Sequence, residues 1–142
     1  MKKIAVVALL LLPLTLPAQA KAPAPAQKAL TSSYRRGEFG TIDVQALPGS
    51  RVHFLLTALA HIDAPGGPNL GTAEGTLTLH HGQGVYSADK PQTGRLRMTF
   101  TRTKVTITQK GTDSDMGFGS GVNATGVYKK ISSKTPKFDK MR

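Results

Sequence analysis

The feature that most constrains the fold of this chain is an alternation of apolar and polar side chains between Tyr34 and Ile131. Successive side chains of a β-strand point to opposite faces, so a period of two indicates strands with one buried face. Proline and glycine clusters interrupt the pattern as turns do. No long segment has the 3.6-residue period of a helix. The predicted strands are residues 34–39, 41–46, 51–60, 72–80, 84–88, 95–101, 104–110 and 126–131.

Eight short consecutive strands predict an all-β domain over residues 34–131, a small antiparallel eight-stranded barrel or sandwich of meander topology. A domain of this size can bury a core without a metal or a disulfide. The chain contains no cysteine, so its stability is expected to depend on packing and strand pairing. In the third strand the predicted inward face consists of Val52, Phe54, Leu56 and Ala58.

The clearest local unit is a hairpin made by the strands at residues 95–101 and 104–110. A turn at Arg102 and Thr103 gives a register that is consistent on both faces, although Arg-Thr is not the Asn-Gly type that two-residue turns prefer. A four-residue turn is the alternative. The register pairs Phe100 with Val105 and Met98 with Ile107 inside, and Arg97 with Thr108 and Arg95 with Lys110 outside.

Residues 1–20 have the three parts of a secretory signal peptide. Lys2 and Lys3 form a positive start, residues 4–16 an apolar stretch, and Ala18-Gln19-Ala20 a cleavage site. The apolar stretch is too short for an ordinary membrane span. We expect cleavage after Ala20, a periplasmic or secreted location, and no transmembrane segment in the mature form.

Two flanking segments are predicted to lie outside the β domain. Residues 21–33 are rich in alanine and proline, which favours an extended, flexible linker. Residues 132–142 carry four cations and one acid without strand periodicity, which indicates a basic flexible tail.

The charge balance favours anionic partners. The 142 residues have a formal net charge of +11, and removal of residues 1–20 with their two lysines leaves +9. Such a surplus attracts an anionic envelope lipid, an acidic polysaccharide or an acidic protein, whereas export takes the chain away from nucleic acid. The outer face of the hairpin is the predicted anion-binding site, and a merely solvated face is the alternative. Its residues are Arg95, Arg97, Arg102, Lys104 and Lys110.

The glycine-rich stretch at residues 111–126 is a second candidate site, centred on Gly117, Phe118, Gly119, Ser120 and Gly121. Its backbone N–H groups could form an anion-binding nest. The alternative is a wide connection that closes a barrel end with Met116 and Phe118.

Neither metal chemistry nor catalysis is predicted. Asp113 and Asp115 have the spacing that opens a Ca²⁺ loop, but the stretch offers no further carboxylate ligand. The adjacent His80 and His81 point to opposite faces of a strand, which disfavours a shared zinc site. The chain has no Gly-x-Ser-x-Gly nucleophile turn. We therefore expect a binding protein without cofactor, metal or catalytic residues.

The second half of the chain resembles a group of small exported β proteins of bacteria. The matching segments are Leu96-Arg97-Met98-Thr99-Phe100, Val105-Thr106-Ile107-Thr108-Gln109 and residues 116–128, which begin Met-Gly-Phe-Gly and end Gly-Val-Tyr. In that group two cysteines commonly occupy the positions that Gly94 and Met116 hold here. The resemblance implies that both cysteines of a disulfide have been replaced together in this chain.

The predicted shape is also similar to the barrel-like periplasmic inhibitors of c-type lysozyme. Those proteins insert a Ser-Gly loop and a tyrosine into the cleft of the enzyme, and Ser120-Gly121 matches that dipeptide. No aromatic or basic partner follows at the position that the pattern requires. The similar shape and the Ser120-Gly121 dipeptide make inhibition of a lysozyme-like cell-wall hydrolase the alternative function.

Overall fold

The computed structural model describes residues 27–138, so the predicted signal peptide and residues 21–26 of the predicted linker lie outside the described part. A short 3-10 turn precedes eight strands, and one turn of α-helix lies between the last two strands. The elements are the 3-10 turn Gln27–Leu30, β1 Ser32–Arg35, β2 Gly40–Leu47, β3 Arg51–Ala60, β4 Asn69–Thr78, β5 Gln83–Ser87, β6 Arg95–Phe100, β7 Lys104–Lys110, α1 Asp113–Met116 and β8 Gly126–Ser132.

The strands form one antiparallel sheet in the order β4-β3-β2-β1-β8-β7-β6-β5. Two four-stranded meanders are thus joined through the pairing of β1 with β8. The sheet curls into a nearly closed barrel, because β4 and β5 at its two ends approach each other through a bridge between His80 and Gln83. The predicted all-β, eight-stranded antiparallel fold is confirmed.

The alternation of side chains produces the core. All four predicted inward residues of β3 are fully buried. Two buried tyrosines are anchored by local hydrogen bonds: the Tyr34 hydroxyl donates to the carbonyl of Leu30 at 3.2 Å, and the Tyr128 hydroxyl donates to that of Ala124 at 2.8 Å. Burial disfavours the phenolate and raises the pKa of both tyrosines.

Side chains close the seam between β4 and β5, where a continuous ladder of hydrogen bonds is absent among the described strands. The ring of Tyr86 packs over Gly75, where an added Cβ would lie 3.1 Å from Cε2. The same ring meets Phe54 edge-on at a centroid distance of 5.3 Å. Barrel closure at this seam therefore depends on aromatic packing over glycine, which leaves room for the ring because it has no Cβ.

The predicted hairpin is confirmed residue by residue. All four predicted cross-strand pairs of β6 and β7 occur in the structure. A hydrogen bond of 2.9 Å from the N–H of Thr101 to the carbonyl of Lys104 closes the turn around Arg102 and Thr103. The Thr101 hydroxyl accepts from the N–H of Lys104 at 3.2 Å. This side-chain contact stabilises a turn that lacks Asn-Gly.

The start of the domain differs from the predicted linker boundary at residue 33. Leu30 is buried, and β1 begins at Ser32. The Thr31 hydroxyl accepts from the N–H of Ala46 at 3.0 Å, which attaches this segment to β2. Residues 27–33 of the predicted linker thus form the 3-10 turn and the start of β1, because an apolar side chain and paired backbone offset the entropy cost of ordering them.

The predicted first strand, residues 34–39, also ends earlier than expected. The chain turns after Arg35, with Gly37 at a φ of 50° and the N–H of Arg36 bonded to the carbonyl of Gly40 at 2.9 Å. Phe39 is consequently exposed in the turn and does not belong to a strand.

The C-terminal segment is attached at two points within the described residues. Ser132 is the last residue of β8 and pairs with Ser33 of β1. Phe138 then packs edge-on against His53 of β3, with ring centroids 4.7 Å apart. The predicted flexible tail therefore crosses from β8 to the outer face of β3, and residues 139–142 lie outside the described part.

Candidate anion-binding face

The outward side chains of β6 and β7 carry four of the five predicted anion-binding residues. The inward residues of the hairpin, such as Met98 and Ile107, are buried in the barrel. Because side chains alternate, the cations between them point to the solvent. Arg102 lies at the exposed tip of the turn. All five predicted residues are exposed: Arg95, Arg97, Arg102, Lys104 and Lys110.

The pairing of strands extends this cationic surface beyond the hairpin. Lys104 of β7 lies directly opposite Lys129 of β8, and Lys129 lies opposite Arg35 of β1. All three side chains are exposed, and neighbouring strands are about 4.8 Å apart. Three cations thus form a row across three strands. We call the outer surface of β6, β7, β8 and β1 the basic face.

A second group of cations lies toward the other end of the basic face. Arg95 of β6 is directly opposite Lys110 of β7, and Arg97 follows Arg95 on the same outer surface. Thr99 and Thr106 separate this group from the row of three. The basic face is therefore two cationic groups with uncharged side chains between them.

The described strands of this part of the barrel contain no carboxylate. Within the described residues, strands β5 to β8 and β1 contain seven lysines and arginines and no aspartate or glutamate. The strands of the other half contain Asp43 and Glu74. The one ion pair in residues 27–138 joins His53 to Glu74 at 2.9 Å. No cation of the basic face is neutralised by an ion pair in that range.

Two neighbouring cations have structural roles instead. The Arg36 guanidinium donates to the carbonyls of Asn123 at 2.8 Å and of Thr125, and it lies over the Tyr128 ring at 5.4 Å. The Lys130 ammonium donates to the carbonyl of Ala29 at 2.8 Å. These two groups hold the β7–β8 loop and the N-terminal turn, so we do not include them in the basic face.

Lys129 and Arg35 were not predicted to belong to this cationic surface. Alternation alone puts each of them on the face opposite a buried tyrosine, Tyr128 and Tyr34 respectively. However, the adjacency of the first and last strands is a non-local property, and no local pattern in the chain indicates it.

The two acids of the β7–β8 loop organise the loop itself. The Asp113 carboxylate accepts from the N–H of Gly121 at 2.5 Å and from that of Ser114 at 2.7 Å. Asp115 accepts from the N–H of Thr112 at 2.8 Å and closes a capping box at the start of α1. Because these backbone hydrogen bonds favour the ionised form, they lower the pKa of both carboxyls below the ordinary value of 3.8.

The second candidate site, residues 117–121, packs against β4 at one end of the barrel. Phe118 is buried over Gly71, whose added Cβ would lie 2.5 Å from Cγ of the ring. The N–H of Gly119 donates to the carbonyl of Leu70 at 2.9 Å, and the carbonyl of Ser120 accepts from the side-chain amide of Asn69 at 2.7 Å.

These contacts leave Gly117, Ser120 and Gly121 exposed on the loop. The N–H of Gly117 donates to the carbonyls of Asp113 and Ser114, and that of Gly121 donates to the Asp113 carboxylate. Four of the five backbone donors of the predicted nest, those of Gly117, Phe118, Gly119 and Gly121, are therefore already bonded within the protein. The alternative interpretation, in which Met116 and Phe118 close the barrel end, agrees with their burial.

Gly94 and Met116, the two positions at which the predicted resemblance would place cysteines, are in contact. The Met116 sulfur occupies the space that a Cβ on Gly94 would enter. The N–H of Gly94 also donates to the carbonyl of Asp115 at 2.8 Å. A side chain at position 94 would therefore point at residue 116, and a thioether fills that space here.

Metal ligands do not cluster in the described residues. No group of three or more histidine, aspartate or glutamate side chains that could hold an ion occurs in residues 27–138. The same part of the chain has no helix that is long and apolar enough to cross a membrane.

Fold and surface together define a small antiparallel β-barrel with one cationic face, whose strands contain no carboxylate within residues 27–138. Comparison of the chain with known protein families, with curated proteins and with solved structures found no match.

Proposed function

We propose that the protein is a non-catalytic, exported binding protein whose basic face binds an anionic component of the cell envelope. The observation that carries the proposal is the row of Lys104, Lys129 and Arg35 together with the hairpin cations. None of these side chains is in an ion pair within residues 27–138. The signal-peptide pattern of residues 1–20 supports an envelope location.

The strand register makes the unliganded basic face electrostatically unfavourable. Like charges directly opposite each other on neighbouring strands destabilise a sheet by roughly 0.2 to 1 kcal/mol per pair. Arg95 with Lys110, Lys104 with Lys129, and Lys129 with Arg35 are three such pairs. A bound polyanion relieves this repulsion, which is a physical reason for its binding here.

The test compares two triple variants of equal net charge. The face variant carries Arg95→Ser, Arg97→Thr and Lys110→Thr, and the control variant carries Lys28→Ser, Lys90→Ser and Lys137→Ser, three exposed lysines outside the strands. Binding is measured at low salt to phosphatidylglycerol vesicles and to dextran sulfate. We expect the face variant to lose roughly a hundredfold in affinity, because each of its three lost cations contributes about 1 kcal/mol near an anionic surface.

The control variant is expected to lose no more than about threefold. Both variants should keep the circular dichroism spectrum and the melting temperature of the parent within a few degrees, since all substituted side chains are exposed. Equal losses in the two variants would mean that net charge alone drives binding, and the proposal of a specific face would then be wrong.

A further inference from the structure

We infer that the anion bound by the basic face is the headgroup layer of a phospholipid surface and that β8 supplies apolar anchors. This inference rests on the proposed function and specifies the partner of the same face. The outward side chains of β8 alternate as Val127, Lys129 and Ile131. Val127 is 43% exposed and Ile131 is 56% exposed.

The position of these aliphatic side chains argues for lipid. Val127 lies between the two cationic groups of the face, since it pairs with Thr106 of β7. Ile131 lies on the far side of Lys129. The cations on the two flanking strands, Lys104 and Arg35, are in register with Lys129. An aliphatic group is therefore present on each side of the cationic row.

This arrangement matches the chemistry of an anionic membrane surface. Cations bind lipid phosphates, while aliphatic groups between them enter the boundary between headgroups and acyl chains. A soluble polysaccharide offers the cations the same negative charge but no hydrocarbon layer for Val127 and Ile131. Exposed aliphatic groups at these positions would add nothing to polysaccharide binding.

Other exposed apolar residues are less informative. Phe39, Leu70 and Val85 are also about half exposed. Phe39 and Leu70 lie at the turn after β1 and at the start of β4, and Val85 lies on β5 opposite Arg97, at the edge of the basic face. Nothing in the structure indicates what covers them. Leu70, at 52% exposed, is nevertheless a useful control because it matches Ile131 in exposure and character.

The experiment uses Val127→Thr, Ile131→Thr and the double variant, with Leu70→Thr as the matched control. Threonine keeps the β-branched shape and the strand preference at these positions. The probes are phosphatidylglycerol vesicles and dextran sulfate. We expect each single β8 variant to bind the vesicles about fivefold more weakly and the double variant about 25-fold more weakly, because independent losses multiply. All three should bind dextran sulfate within about twofold of the parent. Leu70→Thr should match the parent on both probes.

Salt provides a second measurement. The parent should retain residual vesicle binding at 0.5 M salt, where charge contacts are strongly screened, and the double variant should not. Unchanged vesicle binding by the double variant would overturn the lipid inference and favour polysaccharide. If the face variant still binds more weakly than its control, the proposed function survives that result. Equal loss on both probes would also overturn the inference, because the β8 substitutions would then act on the face itself.

Discussion

At the scale of single residues, several glycines make space for large rings. An added Cβ on Gly71 would lie 2.5 Å from the Phe118 ring, and one on Gly40 would lie 2.9 Å from the carbonyl oxygen of Thr57 and 3.2 Å from the Tyr128 ring. Real Cβ atoms do not approach so closely, so these glycines are required by packing, and their backbone angles do not require glycine. The alternation pattern identifies the buried aromatic rings but not the glycines that receive them.

Gly71→Ala tests this packing. We expect a loss of about 1 to 3 kcal/mol in the free energy of unfolding, the usual cost of overpacking a core. Gly66→Ala is the control, because nothing lies within 4 Å of its added Cβ. Urea unfolding followed by circular dichroism gives both values. Adding Phe118→Leu to Gly71→Ala should cost less than the sum of the two single effects, and strict additivity would argue against a steric conflict.

At the scale of elements, strand pairing could be predicted between segments that are close in sequence but not between distant ones. The β6–β7 hairpin was predicted with the correct register because its partners are adjacent in the chain and alternation determines both faces. The exposure of the five hairpin cations was therefore predicted correctly as well. The β1–β8 pairing joins residues almost 100 positions apart, and no periodicity encodes it. Lys129 and Arg35 were missed for this reason.

The same limit applies to the β7–β8 loop. Its glycine content predicted turns with free backbone N–H groups. In the structure the N–H of Gly121 donates to Asp113 and that of Gly119 donates to Leu70. The partner Leu70 is on β4, which is remote in sequence. The two aspartates, which resembled metal ligands, accept backbone hydrogen bonds and hold the loop in place.

Acid titration tests that role of the aspartates. Because the pKa of each folded carboxyl lies below the ordinary value of 3.8, their contribution to stability is complete above that pH and is lost as the pH falls through the lowered pKa. We expect the urea concentration at which half of the parent is unfolded to decrease when the pH is lowered below about 4. Asp113→Asn with Asp115→Asn should reduce this acid-dependent fall. Asp63→Asn, an exposed acid in the β3–β4 loop, should leave it unchanged.

At the scale of the whole molecule, charge is divided between two halves of the barrel. Strands β5 to β8 and β1 have no carboxylate within the described residues, whereas β2 to β4 contain Asp43 and Glu74. Phe138 contacts His53 on this second half. The C-terminal segment therefore leaves the cationic half after β8, and Ile131 at the end of that strand remains exposed.

This distribution of charge also bears on the alternative function, inhibition of a lysozyme-like hydrolase. C-type lysozymes are usually strongly basic, so an inhibitor with a formal charge near +9 after signal-peptide removal would approach its target against a repulsive field. The exposed Ser120-Gly121 dipeptide lies in the β7–β8 loop, which begins directly after Lys110.

The acids nearest to that dipeptide cannot easily compensate. Asp113 and Asp115 already accept hydrogen bonds from the loop backbone, and moving them to pair with an enzyme would leave those N–H groups without acceptors. Desolvation of a carboxylate at an interface cancels much of what pairing provides. We therefore expect equimolar mature protein at low salt to leave the activity of a basic c-type lysozyme on cell walls nearly unchanged. The face variant, with three fewer charges, serves as a control for repulsion. Near-complete loss of lysozyme activity with the parent chain would contradict this argument and make hydrolase inhibition the leading function.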